Sequence, residues 1–228
     1  MAELSVLMPV FNERETVERA IAEVLEADLG VDGLELIVVE DGSTDGTREL
    51  LERASWPESV RVIFHDRNRG KGAAVRTALG QASGVYATIF DADLEYDAAE
   101  IGRLLEPLRE GQRAVFGVRG FQSHSAYNFW YVVGNKAVTL AANVLYNSWV
   151  SDIMTCHKAM RTDLFRSLEL RERGFGIEPE ITAKLLRAGV RIYEVPVTYR
   201  ARSRESGKKL TAADGVRVLG TLLRCRVE

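Results

Sequence analysis

The first half of this sequence alternates short apolar runs with helical patterns, and that alternation limits the possible folds most narrowly. Near-continuous apolar runs are typical of parallel strands that are covered on both faces. Strands that alternate with helices are joined by right-handed crossovers. The predicted strands span residues 4–10, 34–40, 60–65, 85–90 and 114–118, and the predicted helices span 16–27, 44–54, 73–82 and 98–110. We therefore predict an α/β fold with a mainly parallel central sheet flanked by helices.

After residue 118 the pattern is less regular. This part contains predicted helices over 127–146 and 163–168, one that opens at 178–180 and one over 211–224, with strands over 153–160 and 190–199. Pro196 favours an edge position for the last strand, because proline cannot donate a hydrogen bond to a neighbour. Residues 200–209 are polar and are predicted to form a loop. We expect a single domain, 1–228, with two functional halves that divide after residue 118.

Composition limits the class of protein and its compartment. The 228 residues are 46% apolar and carry a net charge of −3, which argues against a general nucleic-acid binder. Cys156 and Cys225 lie far apart and predict neither a disulfide framework nor a zinc site, which fits a reducing compartment. A strand pattern begins at Leu4, and no apolar run approaches the ~20 residues of a membrane span. We expect a cytoplasmic protein, either soluble or peripheral on a membrane surface.

Two acids follow the predicted strand 85–90. Asp91 and Asp93 are separated by one small residue, and a strand end places them at the carboxyl edge of the sheet, where ligands of open α/β folds bind. Mg²⁺ is usually held by one or two carboxylates together with the phosphates of a substrate. The pattern therefore predicts either a site for a divalent cation or an acidic turn that caps the next helix.

Three more turns fall at the same edge. Asn12, in the turn 9–13, is suited to capping a helix, and Asp41 in the second turn is suited to accept hydrogen bonds from a base or a ribose. The third turn, 67–72, is basic and rich in glycine, so its backbone N–H groups and Lys71 favour phosphate. Neither a P-loop nor a dinucleotide-binding glycine pattern is present.

Together these four turns resemble the donor half of family 2 glycosyltransferases. The matching segments are Val-Leu-Met-Pro-Val-Phe-Asn-Glu at 6–13, Val-Glu-Asp-Gly-Ser-Thr-Asp-Gly-Thr at 39–47, Asn-Arg-Gly-Lys-Gly at 68–72 and Asp-Ala-Asp-Leu-Glu at 91–95. Segments 152–158, 174–184 and 194–199 are similar to the branch that transfers hexoses to dolichyl or polyprenyl phosphate. Glu40 and Glu95 depart from the Asp and Gln that are frequent in that branch, and neither change removes an oxygen ligand or acceptor.

The resemblance implies a GT-A fold and an inverting transfer of a hexose, mannose or glucose, from a GDP- or UDP-sugar to a polyprenyl phosphate. It implies that residues 1–118 form the nucleotide-sugar half and residues 119–228 the acceptor half. Mg²⁺ or Mn²⁺ would be held by Asp93, assisted by Asp91 and Glu95. The residues implied for nucleotide-sugar binding are Pro9, Val10, Asn12, Glu13, Asp41, Lys71, Asp91 and Ala92.

The acceptor half has candidate residues of two kinds. The resemblance implies that Asp152 is a catalytic base, and the alternative is an aspartate that belongs to a turn or a helix end. A phosphomonoester has a second pKa of about 6 and needs no base at neutral pH, only cations that meet its charge. The candidate cations are Arg119, Arg200, Arg202, Lys208 and Lys209. Glu178 and Glu180 are either first-turn acids that favour the helix dipole or carboxylates that line the sugar pocket.

Other functions stay open on the sequence alone. A saccharide or protein hydroxyl as acceptor would make Asp152 indispensable, because a hydroxyl must lose its proton. A catalytically silent subunit that binds nucleotide sugar and positions a membrane-embedded partner is a second alternative. The aromatic residues Tyr127, Phe129, Trp130 and Tyr131 suit either the core or a membrane interface. His65, His124 and His157 lack the spacing of metal ligands.

Overall fold

The computed structural model describes residues 2–119, 129–201 and 212–228, and of residues 130, 131 and 212–214 it describes only the backbone. His124, Tyr127, Arg202, Lys208 and Lys209 lie outside the described residues, as do the side chains of Trp130 and Tyr131. The roles predicted for these residues therefore stay predictions.

A seven-stranded sheet forms the centre of the described chain. Its strands are β1 Leu4–Val10, β2 Leu34–Glu40, β3 Val60–Phe64, β4 Tyr86–Ile89, β5 Ala114–Arg119, β6 Lys158–Arg161 and β7 Ile192–Val197. Their order in the sheet is β3-β2-β1-β4-β6-β5-β7, and only β6 runs antiparallel to its neighbours. The predicted α/β fold with a mainly parallel sheet is confirmed. Pro196 lies in β7 at the edge of the sheet, as predicted.

Helices cover both faces of this sheet. They are α1 Val17–Glu26, α2 Thr47–Arg53, α3 Lys71–Gln81, α4 Ile101–Arg109 with a 3₁₀ turn Ala98–Glu100 before it, α5 Phe129–Tyr146, α6 Thr162–Ser167, α7 Ile177–Arg187 and α8 Ala212–Val227. The alternating side chains of β1 divide the core into two layers, one against α1 and α4 and the other against α3 and α7. A third apolar cluster joins α5 to α8. None of the helices described is both long enough and apolar enough to cross a membrane.

The predicted strand over 153–160 is wrong in its first part. Only Lys158–Arg161 forms β6. The residues before it follow a different path, along which the carbonyl oxygens of Ile153 and Thr155 turn inward and accept hydrogen bonds from the buried ammonium group of Lys158. The buried side chain of Lys158 thereby holds the backbone of the segment that carries Asp152 and Cys156.

Candidate active site

A cavity of about 310 Å³ lies at the carboxyl ends of the parallel strands. β1, β2, β4 and β5 point the same way, so the turns after β1, β2 and β4 and the last residue of β5 meet at this edge. Among the residues predicted for the site, those that line the cavity are Pro9, Val10, Glu13, Asp41, Lys71, Asp91, Ala92, Asp93, Glu95, Arg119 and Glu178. Those that are described but do not line it are Asn12, Asp152, Glu180 and Arg200.

Asp41 fixes the basic turn at the mouth of the cavity. Its Oδ1 accepts hydrogen bonds from Nδ1 of His65 at 2.6 Å and from the backbone N–H of Arg69 at 3.0 Å, and its Oδ2 accepts one from Gly70 at 2.7 Å. Gly42 lets the two turns approach, because a Cβ there would collide with the backbone of residues 67 and 68. The Asp41 carboxylate, which was predicted to bind a base or a ribose, therefore accepts three hydrogen bonds from the protein. These hydrogen bonds hold the basic turn in place.

Asn12 joins the first turn to the second. Its φ of 55° is left-handed, a conformation that asparagine tolerates better than most residues. Its backbone N–H donates to Oγ of Ser43, and its Oδ1 accepts from the N–H of Thr44, both at 2.9 Å. Asn12 therefore does not cap α1, which begins after Thr16, and its contact with a nucleotide stays a prediction.

Lys71 lies at the centre of a charged cluster in the cavity wall. Its Nζ is 2.7 Å from Oδ2 of Asp91, 2.7 Å from Oε1 of Glu178 and 3.0 Å from Sγ of Cys156. Burial disfavours the charged form, yet Asp91 and Glu178 hold the pKa of Lys71 well above its usual value. Burial raises the pKa of the Cys156 thiol, which stays protonated. The ammonium group expected to meet a phosphate therefore neutralises two carboxylates from opposite halves of the chain.

Glu178 and Glu180 point to different surroundings. Oε2 of Glu178 is buried without a hydrogen-bond partner in the described part of the protein, and the residue lines the cavity. Such an acceptor is normally satisfied by a partner, here one that enters the cavity. Glu180 instead accepts hydrogen bonds from the backbone N–H groups of Arg171 and Glu172 and pairs with Lys184 at 3.0 Å. Glu180 is committed to that loop, which removes it from the predicted sugar pocket.

Arg119 and Asp152 form a bidentate ion pair beside the cavity. Nε and Nη2 of Arg119 lie 2.6 and 2.9 Å from the two carboxylate oxygens, and Oδ1 also accepts from Nδ2 of Asn135 and the N–H of Met154. Burial alone would raise the pKa of Asp152, but the Arg119 guanidinium holds it below its usual value. A carboxylate with a low pKa and four donors, outside the cavity lining, has the geometry of a holder for Arg119 and not the one expected of a base.

Two tyrosines, Tyr96 and Tyr199, lie in the cavity wall near Arg119, and neither was predicted as a site residue. The guanidinium lies 5.0 Å from the ring centroid of Tyr199, whose hydroxyl donates to Oε2 of Glu95 at 2.5 Å. Tyr96 stacks on His157 with ring centroids 4.4 Å apart, and both tyrosines line the cavity. Tyr96 directly follows the motif 91–95 and Tyr199 is the last residue of the motif 194–199, which was the available signal.

The predicted metal ligands differ in their contacts. Asp91 is bound to Lys71, and Glu95 accepts from Tyr199, while Oδ1 of Asp93 accepts from the N–H of Glu95 at 3.1 Å. Among the described residues no three His, Cys, Asp or Glu side chains are gathered to hold a metal. The full trio is therefore not assembled, but Asp93 and Glu95 both line the cavity. Two carboxylates fit a hard cation whose other ligands come from substrate phosphates and water.

Arg200 lies near this edge but outside the cavity. Its side chain is exposed, and its backbone N–H donates to the carbonyl oxygen of Glu95 at 2.8 Å. The contact of Arg200 with an acceptor phosphate stays a prediction.

A family comparison identifies the chain. Residues 5–168 match the family model described as Glycosyl transferase family 2, which is well over half of the chain. This protein belongs to glycosyl transferase family 2. The four turns that carried the resemblance all lie inside the matched region, at the cavity edge of the sheet.

Individual relatives are named as sugar transferases. The chain is 31% identical over 199 residues to Glycosyltransferase AglJ of Haloferax volcanii, covering 86% of this chain and 63% of that protein. It is 28% identical over 209 residues to Dolichol-phosphate mannosyltransferase of Pyrococcus furiosus, covering 90% of this chain and 58% of the relative. The chain thus spans about three-fifths of the length of these two relatives, 63% and 58%.

A solved glycosyl-transfer enzyme, known from its crystal structure, has the same fold. Glucosyl-3-phosphoglycerate synthase from Mycobacterium tuberculosis, crystallised with Mn²⁺, UDP and glucosyl-3-phosphoglycerate, superposes with a TM-score of 0.71 at 25% identity. The match covers 99% of this chain and 80% of that one. The predicted GT-A fold is confirmed.

Proposed function

We propose that this chain transfers a hexose from a nucleoside diphosphate sugar to a polyprenyl phosphate with inversion at the anomeric carbon. The observation that carries the proposal is the Arg119–Asp152 pair. It supplies a fixed cation at the cavity wall and, at the same time, engages the carboxylate that was expected to act as a base. A phosphate acceptor needs a cation that meets its charge, and it does not need a base. The relative named Dolichol-phosphate mannosyltransferase supports the same acceptor class.

On the donor side, the diphosphate would lie against the turn 67–72, where backbone N–H groups at the start of α3 favour anions. Asp93 and Glu95 would hold Mg²⁺ or Mn²⁺. When bound, this cation neutralises charge that develops on the leaving diphosphate. Asp41 keeps the turn in place through the N–H groups of Arg69 and Gly70. The buried Oε2 of Glu178 would accept a hydrogen bond from a hydroxyl of the sugar.

On the acceptor side, the phosphomonoester is mostly dianionic at neutral pH, because its second pKa is about 6. One of its oxygens attacks C1 of the sugar as the bond from C1 to the diphosphate oxygen breaks. The nucleoside diphosphate leaves with that electron pair, so no proton has to be removed from the nucleophile. Arg119 would offset the repulsion between acceptor and donor phosphates. The proposal includes peripheral placement on a membrane surface, where such an acceptor resides.

A second candidate is transfer to a hydroxyl of a small phosphorylated acceptor. It is favoured by the likeness to glucosyl-3-phosphoglycerate synthase. Arg119 could bind the acceptor phosphate in either case, but a hydroxyl nucleophile would need a base. A catalytically silent nucleotide-sugar-binding subunit is the third reading, and turnover separates it from the other two.

The test is a donor and acceptor matrix. Radiolabelled GDP- and UDP-hexoses are incubated with a polyprenyl phosphate or with 3-phosphoglycerate, with Mn²⁺ or with a chelator. We expect label to enter organic solvent only with the polyprenyl phosphate and only when cation is present. Label that stays in water as glycosyl phosphoglycerate would establish the second candidate instead, and binding of donor without any transfer would favour the silent subunit.

A further inference from the structure

Tyr199 contacts the candidate cation site and the candidate acceptor site at once. Its hydroxyl donates a hydrogen bond to Oε2 of Glu95 at 2.5 Å, and the guanidinium of Arg119 lies over its ring, 5.0 Å from the centroid. All three side chains line the cavity, and Tyr199 itself is 4% exposed. One buried side chain therefore links a carboxylate of the candidate cation site to the arginine that would meet an acceptor phosphate.

The hydroxyl of Tyr199 holds the carboxylate of Glu95 in one orientation. A hydrogen bond from a hydroxyl to an ionised carboxylate is short and strong, and 2.5 Å fits such a bond. The backbone N–H of Glu95 also donates to Oδ1 of Asp93 at 3.1 Å, so the two predicted cation ligands are tied to each other. Carboxylates that bind a cation are normally hydrogen-bonded to a neighbouring group that orients them. Tyr199 has that position relative to Glu95.

The ring of Tyr199 holds the guanidinium of Arg119 by a second kind of contact. Asp152 already binds Nε and Nη2 of this guanidinium. The face of an aromatic ring attracts a cation without using any of its N–H groups, so the two contacts do not compete. Tyr96 packs against Tyr199 with ring centroids 5.2 Å apart, which keeps the ring in place. Asp152 and Tyr199 together leave Arg119 little freedom to move.

The backbone of Tyr199 is joined to the turn that carries Glu95. Tyr199 forms an isolated β-bridge with Tyr96, and the N–H of Arg200 donates to the carbonyl oxygen of Glu95 at 2.8 Å. The position of Tyr199 relative to Glu95 is therefore set by main-chain contacts as well as by its hydroxyl.

We propose that Tyr199 is a positioning residue for both sites. Its hydroxyl orients Glu95 for the divalent cation, and its ring orients Arg119 for the acceptor phosphate. The part that concerns Arg119 rests on the proposed function, whereas the part that concerns Glu95 needs only the cation and the nucleotide. Because the hydroxyl and the ring act on different sites, their effects should be separable by substitution.

The test separates the hydroxyl from the ring. Tyr199→Phe removes the hydrogen bond to Glu95 and keeps a ring beside Arg119, whereas Tyr199→Leu removes both contacts. Tyr193→Phe is the matched control, because Tyr193 is 45% exposed on the preceding strand β7. Thermal unfolding checks that each variant is folded. The electron paramagnetic resonance signal of free Mn²⁺, with saturating GDP or UDP, measures cation binding. The KM for a short water-soluble polyprenyl phosphate, at saturating donor and Mn²⁺, measures the acceptor site.

We expect Tyr199→Phe to weaken Mn²⁺ binding about tenfold and to keep the wild-type KM for the acceptor. Tyr199→Leu should weaken Mn²⁺ binding to the same extent and also raise the KM about tenfold, because Arg119 loses its aromatic contact. Tyr193→Phe should match wild type in both measurements.

Several results would overturn the proposal. Wild-type protein that binds no Mn²⁺ with either nucleotide, or Tyr199→Phe that binds Mn²⁺ as tightly as wild type, would overturn the role of the hydroxyl. Tyr199→Leu with the wild-type KM would overturn the role of the ring. A Tyr199→Phe variant that changes both quantities equally would show a general structural role instead of two separate ones.

Failure of the proposed function gives a different result. Mn²⁺ and nucleotide would bind, Tyr199→Phe would weaken that binding, and no polyprenyl phosphate would accept the sugar. That result would overturn the phosphate acceptor, and with it the role of the ring, while the role of the hydroxyl at Glu95 would stand.

Discussion

Arg119 can bind Asp152 and an acceptor together, because a guanidinium carries five N–H groups. The pair with Asp152 uses Nε and Nη2, which leaves the two N–H groups of Nη1 outside this contact. Because Asp152 fixes one edge of the Arg119 guanidinium, the opposite edge already has a defined orientation. Less conformational entropy is therefore lost when an anion binds there. The carboxylate then acts as a positioning residue for the arginine.

Substitutions of this pair separate the two kinds of acceptor. Arg119→Lys should lower the transfer rate about a hundredfold while donor affinity is unchanged, because an ammonium group cannot reproduce the bidentate contact. Asp152→Asn should retain measurable transfer but lower the free energy of unfolding by about 2–3 kcal/mol, because a mostly buried guanidinium loses its counter-charge. Single-turnover rates, donor titrations and urea unfolding measure the three quantities.

Arg161→Lys is the control for the arginine variant, since Arg161 forms a comparable pair with Asp163 on the exposed surface. It should leave the transfer rate unchanged. The reverse pattern, a folded Asp152→Asn enzyme without activity and a mild Arg119→Lys, would contradict the phosphate acceptor and indicate a hydroxyl nucleophile.

His157 should make stability depend on pH in the acidic range. Burial lowers its pKa to about 4, and neither ring nitrogen has a hydrogen-bond partner among the described residues. The unfolded chain, with a histidine pKa of about 6.5, takes up the proton first as pH falls. The native state therefore has this stability in full above pH ~6.5 and loses up to about 3 kcal/mol of it between pH ~6.5 and ~4.

His157→Phe should remove that loss, because the ring keeps its stacking on Tyr96 and no longer titrates. Urea unfolding at several acidic pH values measures the effect, with wild-type protein at each pH as the reference. A variant whose stability falls with pH as steeply as that of wild type would show that other groups cause the loss.

At the scale of elements, the start of α3 depends on a glycine. Gly70 has a φ of 91°, and a Cβ there would collide with the carbonyl of Arg173. We expect Gly70→Ala to lower the free energy of unfolding by about 2–3 kcal/mol. Gly80 lies inside the same helix, and a Cβ there meets no atom within 4 Å. Gly80→Ala should therefore raise stability by about 0.5–1 kcal/mol. Denaturant unfolding compares the two, and an equal effect of both would contradict the steric argument.

Elements were predictable where a single local pattern decides them. The five strands of the first half follow from apolar runs, and the turns after the first four follow from Gly, Asn or Asp at the ends of those runs. The structure places these four turns at one edge. The segment 153–157 was not predictable, because its path depends on the ammonium group of Lys158. The same holds for the pairing of Lys71 with Glu178, since contacts between residues far apart in sequence leave no periodic signal.

At the scale of the whole molecule, cation and nucleotide should stabilise the fold more when both are present than their separate effects predict. Asp93 and Glu95 lack a third protein carboxylate among the described residues, so a diphosphate must supply further oxygen ligands. We expect Mn²⁺ with UDP or GDP to raise the unfolding temperature more than the sum of the separate additions, because only ligands that bind the native state stabilise it. Differential scanning calorimetry with each ligand alone and in pairs measures this coupling.

Asp93→Asn should abolish the coupling and leave the unfolding temperature without ligands nearly unchanged. Asp66→Asn, on the exposed surface, is the matched control and should keep it. Additive effects of cation and nucleotide in wild-type protein would contradict a shared site. The nucleotide that gives the larger rise identifies the preferred base of the donor.

The position of β6 also sets an order of assembly during synthesis. β5 has β6 and β7 as its neighbours, so residues 114–119 leave the ribosome with no strand to pair with until residues 158–161 follow. β1 to β4 can form a sheet earlier, but it exposes the edge of β4 over the same interval, and unpaired strand edges promote aggregation. A chaperone that binds nascent chains should therefore be most needed between the synthesis of β5 and that of β6, and ribosome-bound chains halted before and after residue 161 should differ sharply in protease resistance.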